Sequence, residues 1–310
     1  MRTPVLDVFR PAIHAACRGY FRLQLRGVEH IPTTGPLVVT PNHQTYADPP
    51  LVTIPIRRRV YYMAWRRLFE WVAAESGVPL EIIDHAFPAK LEELWERSDL
   101  AATFICGLPF AKDPRPLVPV AAPLPLAPRY GGKPVYFTDF IVENDSPYRT
   151  LADTFGKRLA YTIQSSHSGY NAVRHHMLRY RTPERPSLYA ETVGPVFTPR
   201  RSLEALIAGA TDVAPLDSLC HDLLRLYEPE MTRQTRIIES TDPWPVPLLV
   251  AAPGSDLAQA ALLTRTFTRA PAELCRPLAL AGFAPAEART YAGMPETEEQ
   301  AVRVGYPVLA

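Results

Sequence analysis

Short apolar runs separated by helical-period segments recur along most of the chain. Gly35-Pro36-Leu37-Val38-Val39-Thr40 and Val60-Tyr61-Tyr62-Met63 have the density and the flanking turn residues of buried strands. Trp65 to Ser76 has its apolar positions at helical spacing and stops at Gly77, a suitable helix end. The alternation continues with a strand at Leu80 to Ile83, a helix at Ala89 to Glu96 and a strand at Leu100 to Ile105, before a proline-rich passage to Leu126. A second series follows, with strands at Val135 to Val142, Arg158 to Ile163, Leu188 to Glu191 and Val213 to Leu216. Its helices are expected at Tyr148 to Phe155, Gly169 to Tyr180, Arg201 to Ala208 and Leu216 to Tyr227. Arg236 to Thr241 and Leu248 to Ala252 read as returning strands, and Ser255 to Thr268 as a helix with Asp256 in its first turn. Strand and helix in alternation predict an α/β fold with largely parallel sheet. Two lobes with the chain crossing twice place the hinges near Tyr136 to Val142 and Ile237 to Pro243. Proline clusters at strand ends and turns, so it does not signal disorder, and there is no internal repeat.

Between the strand ending at Ile163 and the next helix lies Gln164-Ser165-Ser166-His167-Ser168-Gly169-Tyr170. A hydroxyl-rich turn between strand and helix points backbone N–H groups and side-chain donors at one spot, where the helix dipole adds attraction for an anion. Phosphate, phosphonate or carboxylate suits such a cradle. The competing account, of equal weight on the residues alone, is that Ser166 or Ser168 caps the helix.

Composition adds bounds. The 310 residues carry 47% hydrophobic and 21% charged residues and a formal charge of +1, as a folded protein of two or three units would. The balance is uneven: residues 1–63 hold eight Arg against two Asp and one Glu. Val5 to Leu25, Arg-rich with interleaved apolar residues, is either a packed amphipathic helix or a segment lying on a bilayer surface. The interrupting arginines spoil a secretory signal and no stretch approaches a membrane span, so the chain as written reads as cytoplasmic or membrane-associated. Cys17, Cys106, Cys220 and Cys275 are too scattered for a disulfide framework or zinc site, and no nucleic-acid partner is indicated. No metal is expected at His175-His176 or His221, which read as surface residues.

Two family resemblances rest on particular motifs. Leu94-Trp95-Glu96-Arg97-Ser98-Asp99-Leu100, Cys106-Gly107-Leu108-Pro109-Phe110, Tyr136 to Val142, Ser146 to Asp153, the serine turn with Gly169-Tyr170-Asn171, and Gly209 to Asp217 occur in an order and spacing that resembles the phosphate/phosphonate-type substrate-binding proteins of ABC transporters. The resemblance implies a two-lobed periplasmic-binding-protein-like type II fold over residues 64–310. Lobe 1 would take about 64–134 and 238–310, and lobe 2 about 135–237. It also implies capture of a small anionic ligand without a cofactor, an ABC transporter permease as partner, and periplasmic location for that family. Carried over, the ligand contacts are Ser165, Ser166, His167 and Ser168, with Gly169 allowing close backbone approach. Cys106 and Gly107 end a strand on the opposite lobe, and Tyr136 and Asp217 lie at the cleft edge. Cys106 could equally be a buried small residue and Asp217 a helix N-cap. Many members of that family place Gly-Ser-His before the helix near Arg201. This chain has Val193-Gly194-Pro195-Val196-Phe197-Thr198-Pro199-Arg200, with Thr198, Arg200 or Arg201 as replacement donors.

The second resemblance spans residues 1 to about 69, an appended amino-terminal α/β segment (1–63). Tyr20-Phe21-Arg22, Arg26 to Pro32, Gly35-Pro36 and Asn42-His43-Gln44-Thr45-Tyr46-Ala47-Asp48-Pro49 resemble the start of the lysophosphatidate acyltransferases. In that family His43 would be the general base and Asp48 its orienting carboxylate, with acyl-CoA or acyl-ACP as co-substrate. The family's Glu-Gly-Thr-Arg phosphate-binding block has no counterpart here, so the amino-terminal piece also reads as a structural or membrane-tethering appendage.

Overall fold

A computed structural model describes residues 66–83 and 91–309, which belong to one compact unit formed by Ala64–Asp84 and Leu91–Ala310. The expected strands at 35–40 and 60–63, the segment 5–25, and His43 and Asp48 lie outside the described residues.

The first sheet contains β1 (Thr103–Ile105), β2 (Val118–Pro125), β10 (Leu248–Ala251) and β11 (Leu280–Pro285) in the order β1-β10-β2-β11, every pair antiparallel. The second contains β4 (Thr138–Glu143), β5 (Arg158–Ala160), β6 (Glu191–Val193), β7 (Ala214–Asp217) and β8 (Thr235–Ser240). Here β4 lies between β7 and β8, antiparallel to both. Meanwhile β5 pairs in parallel with β6, and Leu159 meets Val213 in parallel. A two-stranded ribbon, β3 (Val135–Tyr136) with β9 (Trp244–Pro245), joins the outgoing and returning chain.

The expectation of largely parallel sheet is therefore corrected. Strand–helix alternation sets consecutive strands parallel, but each sheet also receives a strand from the other lobe. β10 returns from the second sheet and inserts between β1 and β2, while β4 arrives from the first and inserts beside β7. A strand entering from the far side runs against its neighbours, which turns parallel contacts into antiparallel ones.

Other differences are local. Residues 77–83 are irregular rather than a strand. The strand expected at Leu188 lies three residues on, at Glu191–Val193, and the helix expected from Tyr148 is one tight turn, Leu151–Thr154, capped by Thr150 and Asp153. The proline-rich passage is β2, a central strand. Pro123 and Pro125 fall on alternate positions, so their missing N–H groups face one neighbour, and Pro119 lies beyond a register shift at Val120, where the ladder is already interrupted.

Among the described residues eight α-helices of five or more residues pack on these sheets: α1 (Arg66–Ser76), α2 (Leu91–Trp95), α3 (Gly107–Lys112), α4 (Ala172–Met177), α5 (Pro199–Ile207), α6 (Ser218–Tyr227), α7 (Leu257–Thr268) and α8 (Met294–Arg303). The first core places Leu68 and Val72 of α1 and Leu263 and Phe267 of α7 against Val120, Leu249 and Phe283. The second gathers Phe140, Val142, Leu159, Val173 and Met177 with Tyr306 and Leu309.

Those last two residues belong to a third crossing, where two were expected. On one side α8 meets the first lobe, with Lys112 paired to Glu298 at 2.6 Å. On the other it meets α4, with Asn171 donating to Thr297 at 2.7 Å, and the tail then runs into the second core.

Candidate ligand-binding site

β5 ends at Ala160, three residues earlier than the apolar run suggests, and the chain turns through Thr162 into the serine segment. Ser166 is the cap: its backbone is extended and its hydroxyl accepts from the Gly169 N–H at 3.0 Å. The capping account thus holds for Ser166. The turn that follows is wide, closed by the Asn171 N–H on the Ser166 carbonyl at 3.0 Å, an i to i+5 bond before α4 begins at Ala172. Such wide turns rotate a side chain off the helical register and recur at functional sites. Here His167 is turned inward and 1% exposed, while Ser165 stays exposed.

Gly169 has a different reason from the one expected. A Cβ there would lie 1.8 Å from the Thr162 hydroxyl, so the glycine admits the neighbouring side chain rather than a ligand. Gly107 is similar: a Cβ would come within 2.6 Å of the Met294 sulfur and 2.8 Å of the Tyr291 ring, the close approach of the segment leading into α8.

The other predicted residues converge on the crossing ribbon. Tyr136, in β3, is buried, and its ring centroid lies 6.5 Å from that of His167. Trp244, its partner in β9, meets His167 edge-on at 4.9 Å. Asp217 ends β7 opposite Thr138 and caps α6, accepting from the Leu219 and Cys220 N–H groups at 3.0 Å each. Thr138 in turn donates its hydroxyl to the Ser168 carbonyl at 2.7 Å, which ties β4 to the serine turn. The Ser168 side chain neighbours Tyr136 and Asp217 and lowers the pKa of each, and the Asp217 charge acts on Cys106 and Cys220. Cys106, Tyr136, His167, Ser168, Asp217, Cys220 and Trp244 therefore form one group, while Ser165, Ser166 and Gly169 stand behind it as turn scaffold.

Burial dominates the electrostatics. It pushes the Cys106 thiol up to about 11, helped by the Asp217 charge, and lifts Cys220 and Tyr136 well above their usual ranges. Burial also raises Asp217, against the lowering pull of the capped N–H groups. His167 is pulled down to about 3 by burial and by the nearby His175. At neutral pH the two thiols are protonated and unreactive, and none of the seven side chains carries a positive charge. The arrangement suits reversible recognition of a small polar solute by neutral donors around one carboxylate.

Cys220 and Trp244 were not singled out from sequence. Cys220 sits three residues after the capping Asp217, within the first turn of α6, and Trp244 belongs to Trp244-Pro245-Val246-Pro247, whose strand pairs with Tyr136. Those positions were the available signals.

The replacement donors expected near Arg201 are engaged elsewhere. Thr198 caps α5 by accepting from the Arg201 N–H at 3.2 Å, and Arg200 is held by Glu228 at 2.8 Å and by Glu204. The histidines read as surface residues are also corrected. His176 is 2% exposed and bonded to Glu239 at 2.5 Å, and His221 is 1% exposed and bonded to Asp139 at 3.0 Å. Each is a buried imidazole made tenable by a carboxylate partner. Among the described residues no group of three or more His, Cys, Asp or Glu is placed to hold a metal ion. Nor is any described helix long and apolar enough to cross a membrane.

Comparison with known proteins gives two family matches that overlap over residues 53–79. A family model described as ABC transporter, phosphonate, periplasmic substrate-binding protein matches residues 53–291. An acyltransferase model matches residues 22–79. No curated protein sequence matches the chain. Among solved structures, the binding protein component of an ABC phosphonate transporter from Pseudomonas aeruginosa superposes with TM-score 0.63 at 15% identity, covering 78% of this chain and 83% of that one. A Prochlorococcus marinus protein in complex with methylphosphonate gives TM-score 0.63 at 11% identity, covering 79% and 95%. A Xanthomonas citri protein bound to ATP gives TM-score 0.55 at 21% identity, covering 78% and 94%. At these identities the likeness is one of fold, two lobes joined by crossing strands.

Proposed function

The chain belongs to the phosphonate-binding family of periplasmic ABC-transporter substrate-binding proteins, and from that premise we propose that it captures a small oxyanion at the group formed by Ser168, Tyr136, His167 and Asp217. The observation that carries the reading is the convergence of the inward half of the serine turn with the β3–β9 ribbon, where both lobes and the connection between them meet. Closure of two lobes on a ligand removes water, and hydrogen bonds from neutral donors strengthen as the local dielectric falls. Asp217 gives the site a polarity that a fully ionised anion would not seek. A carboxylate there favours a ligand with one protonated oxygen, a monoanionic phosphonate or phosphate, able to donate to it. The Trp244 ring beside His167 gives an apolar substituent on that ligand something to pack against.

Thermal unfolding with methylphosphonate, phosphate and small carboxylates tests this. A ligand at a hundred times its dissociation constant adds about 2.7 kcal/mol, a rise of roughly 5–10 °C for a unit of this size. Ser168→Ala should abolish the rise, whereas Ser166→Ala should lower the melting temperature of the free protein and leave the rise in place. A flat response to every anion would end the reading. In this proposal the partner is an ABC transporter permease, which would meet the ligand-closed form.

The acyltransferase match at residues 22–79 supports a second reading, in which His43 and Asp48 act on an acyl thioester. Thiol release from acyl-CoA in the presence of lysophosphatidate, lost in His43→Ala, would establish it. Membrane contact through residues 5–25 would then bring the chain to its lipid acceptor.

A further inference from the structure

The orientation of the Asn171 amide is fixed by three neighbours. Its Oδ1 accepts an N–H from the Arg174 guanidinium at 3.2 Å, which leaves Nδ2 to donate. One Nδ2 hydrogen goes to the Thr297 hydroxyl oxygen at 2.7 Å, and that hydroxyl uses its own hydrogen on the Met294 carbonyl at 2.7 Å. The other faces His167 Nδ1 at 3.3 Å. Nδ1 is therefore an acceptor, and a neutral imidazole that accepts at Nδ1 carries its proton on Nε2. Burial keeps the ring neutral, with its pKa drawn to about 3.

That Nε2–H is buried and has no hydrogen-bond partner among the described residues. Native structures rarely leave a buried donor unpaired, because the lost hydration is not recovered. The ring bearing it stands against Tyr136 and Trp244, one residue from each crossing strand. We propose that the His167 Nε2–H is a ligand-reading donor that takes an unprotonated oxygen of the bound anion, and that Asn171 is the positioning residue that keeps the proton on that nitrogen. The inference rests on the solute-binding reading above and sharpens its ligand class. The solute presents an acceptor to His167 and its protonated oxygen to Asp217, and a group that can only donate, such as an ammonium, is refused at His167. It also gives α8 a role in the site, since Thr297 holds the amide that sets the tautomer.

The test uses the full chain with 15N-labelled histidine, titrated with inorganic phosphate and with methylphosphonate. The ligand-free protein should show His167 as the Nε2-protonated tautomer from pH 5 to 8, and its Nε2 resonance should move when an anion binds. His167→Leu should weaken anion binding about tenfold or more, the usual effect of losing one hydrogen bond to a charged group. His167→Gln, which keeps an N–H near the same point, should weaken it less, and Asn171→Ala should mix the tautomers and weaken binding in proportion. A proton on Nδ1 in the free protein would overturn the inference without any ligand. So would anion binding that leaves the Nε2 resonance unmoved and is equal in wild type and His167→Leu; in that case the solute-binding reading stands. Should neither anion bind wild type at millimolar concentration, that reading fails and the inference falls with it.

Discussion

The sheet built around Val118–Pro125 closes over an aliphatic and aromatic core, whereas the sheet built around Thr138–Glu143 buries charge in its middle strand. In the first lobe the contacts are those of Val72, Leu249, Leu263, Phe267 and Phe283. In the second, Asp139 is fully buried and takes hydrogen bonds from Arg129 at 2.8 Å, His221 at 3.0 Å and Ser240 at 2.7 Å. Arg129 also reaches Asp222 at 2.8 Å, and its guanidinium lies over the stacked rings of Tyr130 and Phe137. Burial alone would raise the Asp139 carboxyl, yet His221 and Arg129 hold it below the usual range. The first lobe is thus held by non-directional packing. The second adds to its apolar core a directional network that also fixes the linker residues 129–137 against β4 and α6, where Tyr136 and Asp217 lie.

The largest expected difference comes from breaking each lobe by its own logic. Asp139→Ala leaves Arg129 and His221 without their shared acceptor and should lower stability by about 3–5 kcal/mol. Leu249→Ala should cost about 2–4 kcal/mol through a cavity in the first sheet. Urea unfolding separates the two mechanisms. The Leu249→Ala loss should be the same from pH 7 down to pH 3. The loss in Asp139→Ala should shrink as pH falls toward and below 3.8, because a depressed carboxyl contributes above its unfolded pKa and loses that contribution on protonation. Equal pH behaviour of the two variants would erase the contrast.

A smaller effect tests the histidines of the second lobe. Burial lowers His167 to about 3, so between that value and the ordinary 6.5 the unfolded chain binds a proton that the folded ring refuses; burial lowers His176 as well. Stability contributed by a neutral buried imidazole is complete above pH 6.5 and drains as pH falls below it, by about 1.4 kcal/mol per pH unit for His167. His167→Gln should remove that amount from the slope between pH 6 and 4.5. An unchanged slope would mean that the ring is protonated in place.

The two lobes were also unequally legible in the sequence. Helix α1 and its stop at Gly77, whose φ of 67° needs a glycine, follow from spacing and one residue. The serine turn and Asp217 were visible because hydroxyls and a capping carboxylate next to a helical period carry their own signal. Strand β2 was not, since three prolines in eight residues argue against a central strand, and the register shift that accommodates Pro119 is a tertiary fact. Sheet direction was illegible because it depends on which strand crosses from the other lobe, a pairing between residues more than a hundred positions apart, as in Thr103 with Val250. The wide turn that swings His167 inward, and the reach of the tail to Tyr170 and Arg174, are likewise tertiary facts.

The smallest effect concerns where each lobe stores backbone strain. Among the described non-glycine residues, two have left-handed φ: Ala279 at 55°, just ahead of β11 in the first lobe, and Phe197 at 71° in the second. At Ala279 the strain closes a tight turn, with its N–H on the Arg276 carbonyl at 3.0 Å. At Phe197 it lets the chain lie flat on the exit from β5: Val196 and Phe197 donate to the Tyr161 and Thr162 carbonyls at 3.1 and 3.0 Å, while a Cβ on Gly194 would meet the Tyr161 carbonyl at 2.6 Å. The aromatic ring is left 51% exposed beside the serine turn. Relief of strain by glycine, less the added freedom of the unfolded chain, should leave each of Ala279→Gly and Phe197→Gly within about 1 kcal/mol of wild type. With stability so nearly matched, anion affinity becomes the informative readout. Ala279→Gly should leave it unchanged. Loss of affinity in Phe197→Gly alone would make the strained ring part of the site's rim, and equal affinity in both would make it a structural cost of packing the loop onto β5.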